Sequence, residues 1–382
     1  MKFFHLSDLH IGKSVNGFSM LAEQAHIFAQ VLAYIKTHRP DAVLVAGDLY
    51  DRPVPGVEAV RLFDQFLTSL AGEGVAVLLI SGNHDSPERL GFASRLLTGH
   101  RLFISGVFAG RMQKVALPDA HGEVFFWLLP FLRPLALRGT CQGRAIESYD
   151  DAISAAIEQS GVDYTARNVL ISHQFYRKAG VTPLRSESEL DPIGGLDAAD
   201  AALLEGFDYV ALGHLHGGQQ VGAPHIRYCG SPLKYSFSEC RQQKSLTLVE
   251  MGEKGEVDIS TLPLTPIHEM REIRGEMEAL LREGAASPAG REDYLRVILT
   301  DQAEIVDPVG KLRSVYPNLA SLDFENSRTG VDLDALSARA GAVETRSLYD
   351  LFGEFFLEVQ GAAMSEAQAE IVRSLLEKEA AQ

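Results

Sequence analysis

Cysteine is scarce in this chain. The three present, Cys141, Cys229 and Cys240, are odd in number, far apart and without a C-x-x-C spacing. That excludes a disulfide framework and a thiolate metal site, and fits free thiols in a reducing compartment. Long apolar runs are missing too, with nothing near the roughly 20 residues of a membrane span. The first ten residues, MKFFHLSDLH, hold a histidine and an aspartate where a secretory leader needs an unbroken apolar core. The expectation is a cytoplasmic protein with no membrane partner. Basic residues are outnumbered, 35 Lys+Arg against 51 Asp+Glu, for a net charge of −16. The deficit concentrates in residues 266–382, with 12 Lys+Arg against 22 Asp+Glu, while residues 1–265 hold 23 against 29. Such acidity weakens the case for tight unaided DNA binding. It does not exclude a DNA substrate, because several carboxylates of the first part are candidate metal ligands whose charge bound cations would offset.

At 382 residues and 46% hydrophobic composition the chain has room for one large domain and one or two small ones. Short β-branched runs occur at KFFHLSD, DAVLVAGD, GVAVLLISGNHD, NVLISHQ and DYVALGHLH. Helical patterns from Ala22 to Lys36 and Val57 to Leu70 separate the early ones, which is the alternation of an α/β domain. KSLTLVEMGEKGEVDISTLPL reads as a hairpin closing that domain, placed at residues 1–265. Residues 266–336 follow as strand, helix, strand, helix, strand, a small α+β capping domain. Residues 337–382 read as a linker and two helices, with no repeat of solenoid period.

The chemistry falls in five clusters: Asp8-x-His10, Gly47-Asp48, Gly82-Asn83-His84-Asp85, His173, and Gly213-His214-x-His216. A single histidine beside an apolar strand is ordinarily structural. Here every cluster follows a strand, where open α/β sheets bind ligands, and burying so many ionisable groups unpaired would cost several kcal/mol each. A pair of divalent metals would satisfy them. Imidazole nitrogen mixed with carboxylate and amide oxygen suits Mn, Fe or Zn better than Ca or Mg. Two such ions need one shared ligand, for which Asp48 is the candidate, with Gly47 allowing the sharp turn. Asp85 reads as a turn carboxylate accepting backbone N–H groups. Lys13, Arg52, Arg89, Arg177, Lys178 and Lys234 are candidate phosphate contacts only as a group. The remaining histidines, His5 and His268 among them, read as structural or surface residues.

The ordered set D-x-H, G-D-x-x-D, G-N-H-D, H and G-H-x-H resembles the calcineurin-like metallophosphoesterase superfamily. HLSDLHIGK, GSPLKYSFSE from Gly230 to Glu239, the small domain and the tail resemble its bacterial branch of nuclease subunits that work with an ATPase. The resemblance implies a four-layer α/β/β/α sandwich. It places Asp8, His10, Asp48 and His216 on one metal, Asp48, Asn83, His173 and His214 on the other, and manganese as the metal. It leaves His84 to stabilise developing charge or protonate the leaving oxygen during in-line attack on phosphorus. Asp51 stands where related phosphatases carry a carboxylate bonded to the catalytic histidine, with a turn carboxylate beside Pro53 as the alternative. The implied activity is exonuclease on duplex DNA and endonuclease on single strands or hairpins, in DNA repair, recombination and replication, from a homodimer within a heterotetramer.

In RSLYDLFGEFFLEVQ the residues Leu348, Leu351, Phe352, Phe355, Phe356 and Val359 form one apolar stripe. Ser365 and Gln368 have capping-box spacing ahead of a second face containing Ile371 and Leu375. The stripe reads as a docking element, which the resemblance assigns to the coiled coil of the ATPase, against the alternative that both helices pack on the small domain. A stand-alone metallophosphatase or nucleotide phosphodiesterase fits the five clusters equally well. A non-catalytic scaffold is disfavoured, since no ligand position is missing.

Overall fold

The computed structural model describes residues 1–137, 145–178, 183–189, 198–326, 348–360 and 363–380. Cys141, the linker expected over 337–347 and the side chains of Leu348 and Val359 lie outside the described residues. The chain divides into two compact units, Met1–Met270 and Arg271–Gln382.

The first unit is built on two six-stranded sheets. In the first, Lys2–Leu6, Ala42–Ala46, Ala76–Ile80 and Leu102–Ser105 run parallel. The hairpin Ser245–Met251 with Val257–Pro263 adds antiparallel against Lys2–Leu6, closing the domain as its sequence suggests. In the second, Gly122–Leu129, Arg167–His173, Tyr209–Gly213 and Ala223–Tyr228 run parallel, with Gln113–Asp119 and Gln219–Val221 antiparallel at the edges. These central strands are buried on both faces, which explains their continuous apolar runs. One face of each sheet meets the other: Phe3, Leu44, Leu78 and Val249 share a core with Phe126, Val169, Ile171 and Tyr209. On the first sheet's outer side lie helices Leu21–His38 and Val57–Gly72, locked by Phe28 stacked on Phe66 at 4.2 Å. On the second sheet's outer side the helix Tyr149–Ser160 packs Ile153 and Ala156 against Leu170 and Leu212. The result is the four-layer α/β/β/α sandwich. The second sheet's hairpin Gln113–Leu129 was not legible in the sequence.

In the second unit the strands Met270–Gly275, Tyr294–Leu299 and Leu319–Phe324 form one sheet in that order. Helices Met277–Ala286 and Pro308–Arg313 cover a core of Leu280, Leu295, Val297, Leu312 and Tyr316. Helices Leu348–Gln360 and Glu366–Ala380 complete the unit. The expected capping box forms, with Gln368 N donating to Ser365 Oγ at 3.4 Å and Ser365 N donating to Gln368 Oε1 at 2.9 Å. Arg373 donates to the Tyr349 hydroxyl at 3.1 Å, tying the two helices together. Phe352, Phe355, Ile371 and Leu375 remain exposed, and Leu351 and Phe356 are half-buried. No helix of the described residues is long and apolar enough to cross a membrane.

Candidate metal centre

Parallel strands place their C-terminal ends side by side. The first sheet therefore brings Asp8, His10, Asp48, Asn83 and His84 to one edge, and the second brings His173, His214 and His216. The chain leaves these strands under strain. Asp8, His10, Asp48 and His214 have φ of 51°, 43°, 51° and 104°, which L residues other than glycine rarely adopt. Backbone bonds hold these turns: Asp8 N donates to Gly47 O at 3.0 Å and His10 N to Asp48 O at 3.0 Å. His214 N donates to both Asp8 carboxylate oxygens at 3.1 Å, stitching the sheets together. Gly47 meets the expectation of a sharp turn, with φ of 85°. At Gly82 the reason differs: a Cβ there would overlap the Asp48 carboxylate, so close approach and not φ requires glycine.

The donors converge. Asp48 Oδ2 lies 3.3 Å from His173 Nε2 and 3.7 Å from His10 Nε2, one oxygen facing two histidines from different sheets. Asn83 Oδ1 lies 3.1 Å from both His173 Nε2 and His214 Nδ1. His10 Nε2 and His216 Nε2 meet at 3.1 Å, and His10 Nδ1 is buried without a hydrogen-bond partner. Three groupings, Asp8–His10–His216, His10–Asp48–His84 and Asp8–Asp48–His173, each bring their ligand atoms within 4.8 Å of one another. Burial would raise the Asp48 pKa, but His173, His10 and His84 hold it far below the carboxylate range. Burial would lower His173, yet Asp48 pushes it up to about 9. Burial drives His10 well down and His214 to about 3, and raises Asp8. Facing imidazole nitrogens around buried carboxylates are stable when cations lie among them. The donors fit divalent metal binding.

Known proteins similar to this chain identify its family. Residues 1–218 match the family model described as calcineurin-like phosphoesterase. The chain belongs to that family. Residues 266–360 match a second model, described as the type 5 capsule protein repressor C-terminal domain. SbcD of Staphylococcus epidermidis, a component of the SbcCD nuclease, is 30% identical over 98% of each chain, which makes this phosphoesterase an SbcD homologue. A solved dimetal phosphatase from Danio rerio is similar over 70% of this chain and 99% of its own, at 14% identity and a TM-score of 0.39.

Around these candidate ligands, further contacts fix the rings of His173 and His216. His173 Nδ1–H donates to Ala46 O at 2.7 Å, so Nε2 faces Asp48 and Asn83. His216 Nδ1 is held by Ser188 Oγ at 2.7 Å and lies 3.4 Å from Glu239 Oε1, so Nε2 faces His10. Ser188 donates to the same Glu239 oxygen at 2.7 Å, and Lys244 Nζ meets Glu239 Oε2 at 2.6 Å. Glu189 Oε1 accepts from His216 N at 2.7 Å. Gln24 Nε2 donates to His10 O at 2.8 Å and to the Tyr235 hydroxyl at 3.1 Å. Ser188, Glu189, Glu239, Lys244, Gln24 and Tyr235 were missed in the sequence. The only trace was the GSPLKYSFSE stretch, which supplies Tyr235 and Glu239.

Asp85 acts as the turn carboxylate, accepting from Leu49 N at 3.1 Å, Tyr50 N at 3.0 Å and Gly82 N at 2.9 Å. It thereby ties the Asp48 turn to the Asn83 turn. The contact expected of the Asp51 carboxylate with His84 is not formed. His84 Nδ1–H donates instead to the Asp51 carbonyl at 3.0 Å, while the Asp51 carboxylate takes Lys13 Nζ at 2.7 Å, because the cation is in reach and better satisfies the charge. Lys234 is likewise engaged, with Cys240 O at 2.9 Å and Glu269 Oε1 at 2.7 Å. His5 and His268 are structural, the first bonded to the Tyr209 hydroxyl and Leu212 O, the second to Glu23.

Proposed function

We propose that this chain is the nuclease subunit of an SbcCD-type complex, a manganese-dependent phosphodiesterase that cuts DNA with an SbcC-like ATPase. The observation that carries the reading is Asp48, whose Oδ2 faces His173 from one sheet and His10 from the other. An oxygen so placed would be the ligand that two ions share. In this reading Asp8, His10, Asp48 and His216 hold one manganese, and Asp48, Asn83, His173 and His214 hold the other. Those residues would hold two divalent ions, whose chemistry when bound would be to offset charge on the phosphodiester oxygens and to make a water more acidic. The chain's own residues do the rest. His173 and His216 are locked in the tautomers that present Nε2 inward. The Asp51 carbonyl holds His84 Nδ1–H and aims Nε2 at the substrate, where the doubly protonated ring would give its Nε2 proton to the leaving oxygen and return to the neutral Nδ1–H form. Asp51 thus positions His84 through its backbone, and its carboxylate positions Lys13.

The 30% identity over nearly the whole of an SbcCD component supports DNA as substrate, in repair, recombination and replication. The same relation supports exonuclease action on duplex ends, endonuclease action on single strands or hairpins, and a homodimer within a heterotetramer in the cytoplasm. The exposed Phe352, Phe355, Ile371 and Leu375, with Leu348, Leu351 and Phe356, are assigned to the coiled coil of the ATPase. The purified chain with manganese, compared on linear duplex DNA, single-stranded DNA and an aryl phosphate, tests the reading. Cleavage of DNA is expected. Turnover confined to the aryl phosphate would replace it with a stand-alone phosphatase.

A further inference from the structure

The space between the two sheets is apolar over most of its area, but it changes character at one edge. On the first sheet, Thr247 and Ser245 continue the face that carries Val249 and Met251, and Thr261 pairs with Thr247. On the second, Arg227 sits in register with Ala211 of the shared core. A cavity of about 410 Å³ opens here, lined by Arg227, Lys244, Gln242, Ser231, Ser245 and Thr261, with His216 in its wall. Among the described lining residues there is no aspartate or glutamate, in a chain with net charge −16.

The two cations of this cavity are not equivalent. Lys244 is satisfied by Glu239 Oε2 at 2.6 Å, His216 O and Gln242 Oε1 at 2.8 Å, and Ser231 Oγ at 3.0 Å. Arg227 has no hydrogen-bond or ion-pair partner among the described residues, and its Nε is buried. Buried donors in native structures find acceptors, so an acceptor belongs in this cavity. One unneutralised guanidinium asks for an anion, and its planar fork matches phosphate oxygens. The volume lies within the range of small-molecule sites and far exceeds one water.

We propose that this cavity is an anion site that takes a phosphate monoester, free or on a nucleoside, with Arg227 as its charge partner. The inference stands on the cavity and Arg227, not on the reaction at the metal centre. Titration calorimetry on the full chain tests it, using inorganic phosphate and dAMP as separate probes. The manganese-loaded chain should show phosphate binding in two classes, one lost on adding chelator and one retained. Arg227→Gln should weaken the retained class at least tenfold, and Arg227→Lys should restore most of it. Thr261→Trp, which fills the cavity while leaving Arg227 in place, should abolish it and serves if Arg227→Gln does not fold. Tighter dAMP than phosphate makes the nucleoside part of the ligand, and equal affinities identify phosphate alone. Absence of chelator-resistant binding by either probe would overturn the proposal and leave a water-filled cavity. Unchanged affinity in the Arg227 or Thr261 variants would overturn it equally.

Discussion

Replacing Glu239 should damage two things at once, because one buried carboxylate serves both Lys244 and His216. Its side chain is fully buried and that of Lys244 is 6% exposed, with 2.6 Å between Oε2 and Nζ. Glu239→Ala leaves the Lys244 ammonium without its charge partner, and breaking a buried pair from one side costs about 3–5 kcal/mol. It also frees Ser188 from Oε1, loosening the grip on His216 Nδ1. Loss of such an outer contact lowers metal affinity about 10–100-fold. Urea denaturation of the metal-free chain reads the first effect, and competition with a chromophoric chelator reads the second. Glu239→Leu combined with Lys244→Met removes both charges and should recover more than half of the lost stability, though not the metal affinity. The effect carries a pH signature. His216 and Lys244 overcome burial and depress the Glu239 pKa to about 2 from an ordinary 4.5. A depressed carboxyl contributes stability that is complete above about pH 4.5 and is lost as pH falls toward 2, so the gap between wild type and Glu239→Gln should narrow over that window. A Glu239→Ala chain with unchanged urea midpoint and metal affinity would refute the reasoning.

Three further outcomes follow from the same structure. Burial, then Arg227, lowers the His5 pKa to about 3, so below pH 6.5 the unfolded chain takes up a proton that the fold refuses; stability should fall by up to about 1.4 kcal/mol per pH unit between 6.5 and 3. His10 and His214, lowered by the same burial, add slope of the same sign, so His5→Gln should make the slope in equilibrium unfolding shallower without removing it, and an unchanged slope would show that His5 contributes nothing to it. Phe352→Glu with Phe355→Glu alters side chains that are 41% and 52% exposed, so the isolated chain should keep its melting temperature while losing co-purification with the ATPase; a destabilised chain would instead place these residues in an internal contact. Imidazole-rich donors favour manganese over hard, strongly hydrated magnesium, so phosphodiester cleavage should be fast with Mn²⁺ and slow with Mg²⁺ alone. Equal rates at equal concentrations would contradict the ligand set.

What the sequence revealed was local. A strand that ends in Gly-Asp or Gly-Asn-His-Asp announces both the strand and the chemistry at its tip, and Ser365 with Gln368 announces a helix start within four residues. Asp85 was legible for the same reason, since its role is to accept amides of neighbouring turns. Non-local pairings were not legible. Glu239 and Ser188 reach His216 from 23 and 28 residues away, and only the sandwich brings them together. Asp51 stayed open between two readings for the same reason: its carbonyl meets His84 while its carboxylate meets Lys13, 38 residues distant, and no motif spells out that choice. The Arg227 cavity left no sequence signal, because it arises where the edges of two sheets face each other.

The central claim is that Asp48 is shared between two metals while His84 acts on substrate, although His84 also lies within ligating reach of His10 and Asp48. The most direct measurement is the metal content of Asp48→Ala and His84→Ala after manganese loading and desalting, paired with cleavage of single-stranded DNA by each. The account predicts that His84→Ala retains two manganese ions per chain and loses roughly 10²–10⁴-fold in rate, whereas Asp48→Ala loses the metals and the activity together. An empty His84→Ala beside a fully loaded Asp48→Ala would contradict it.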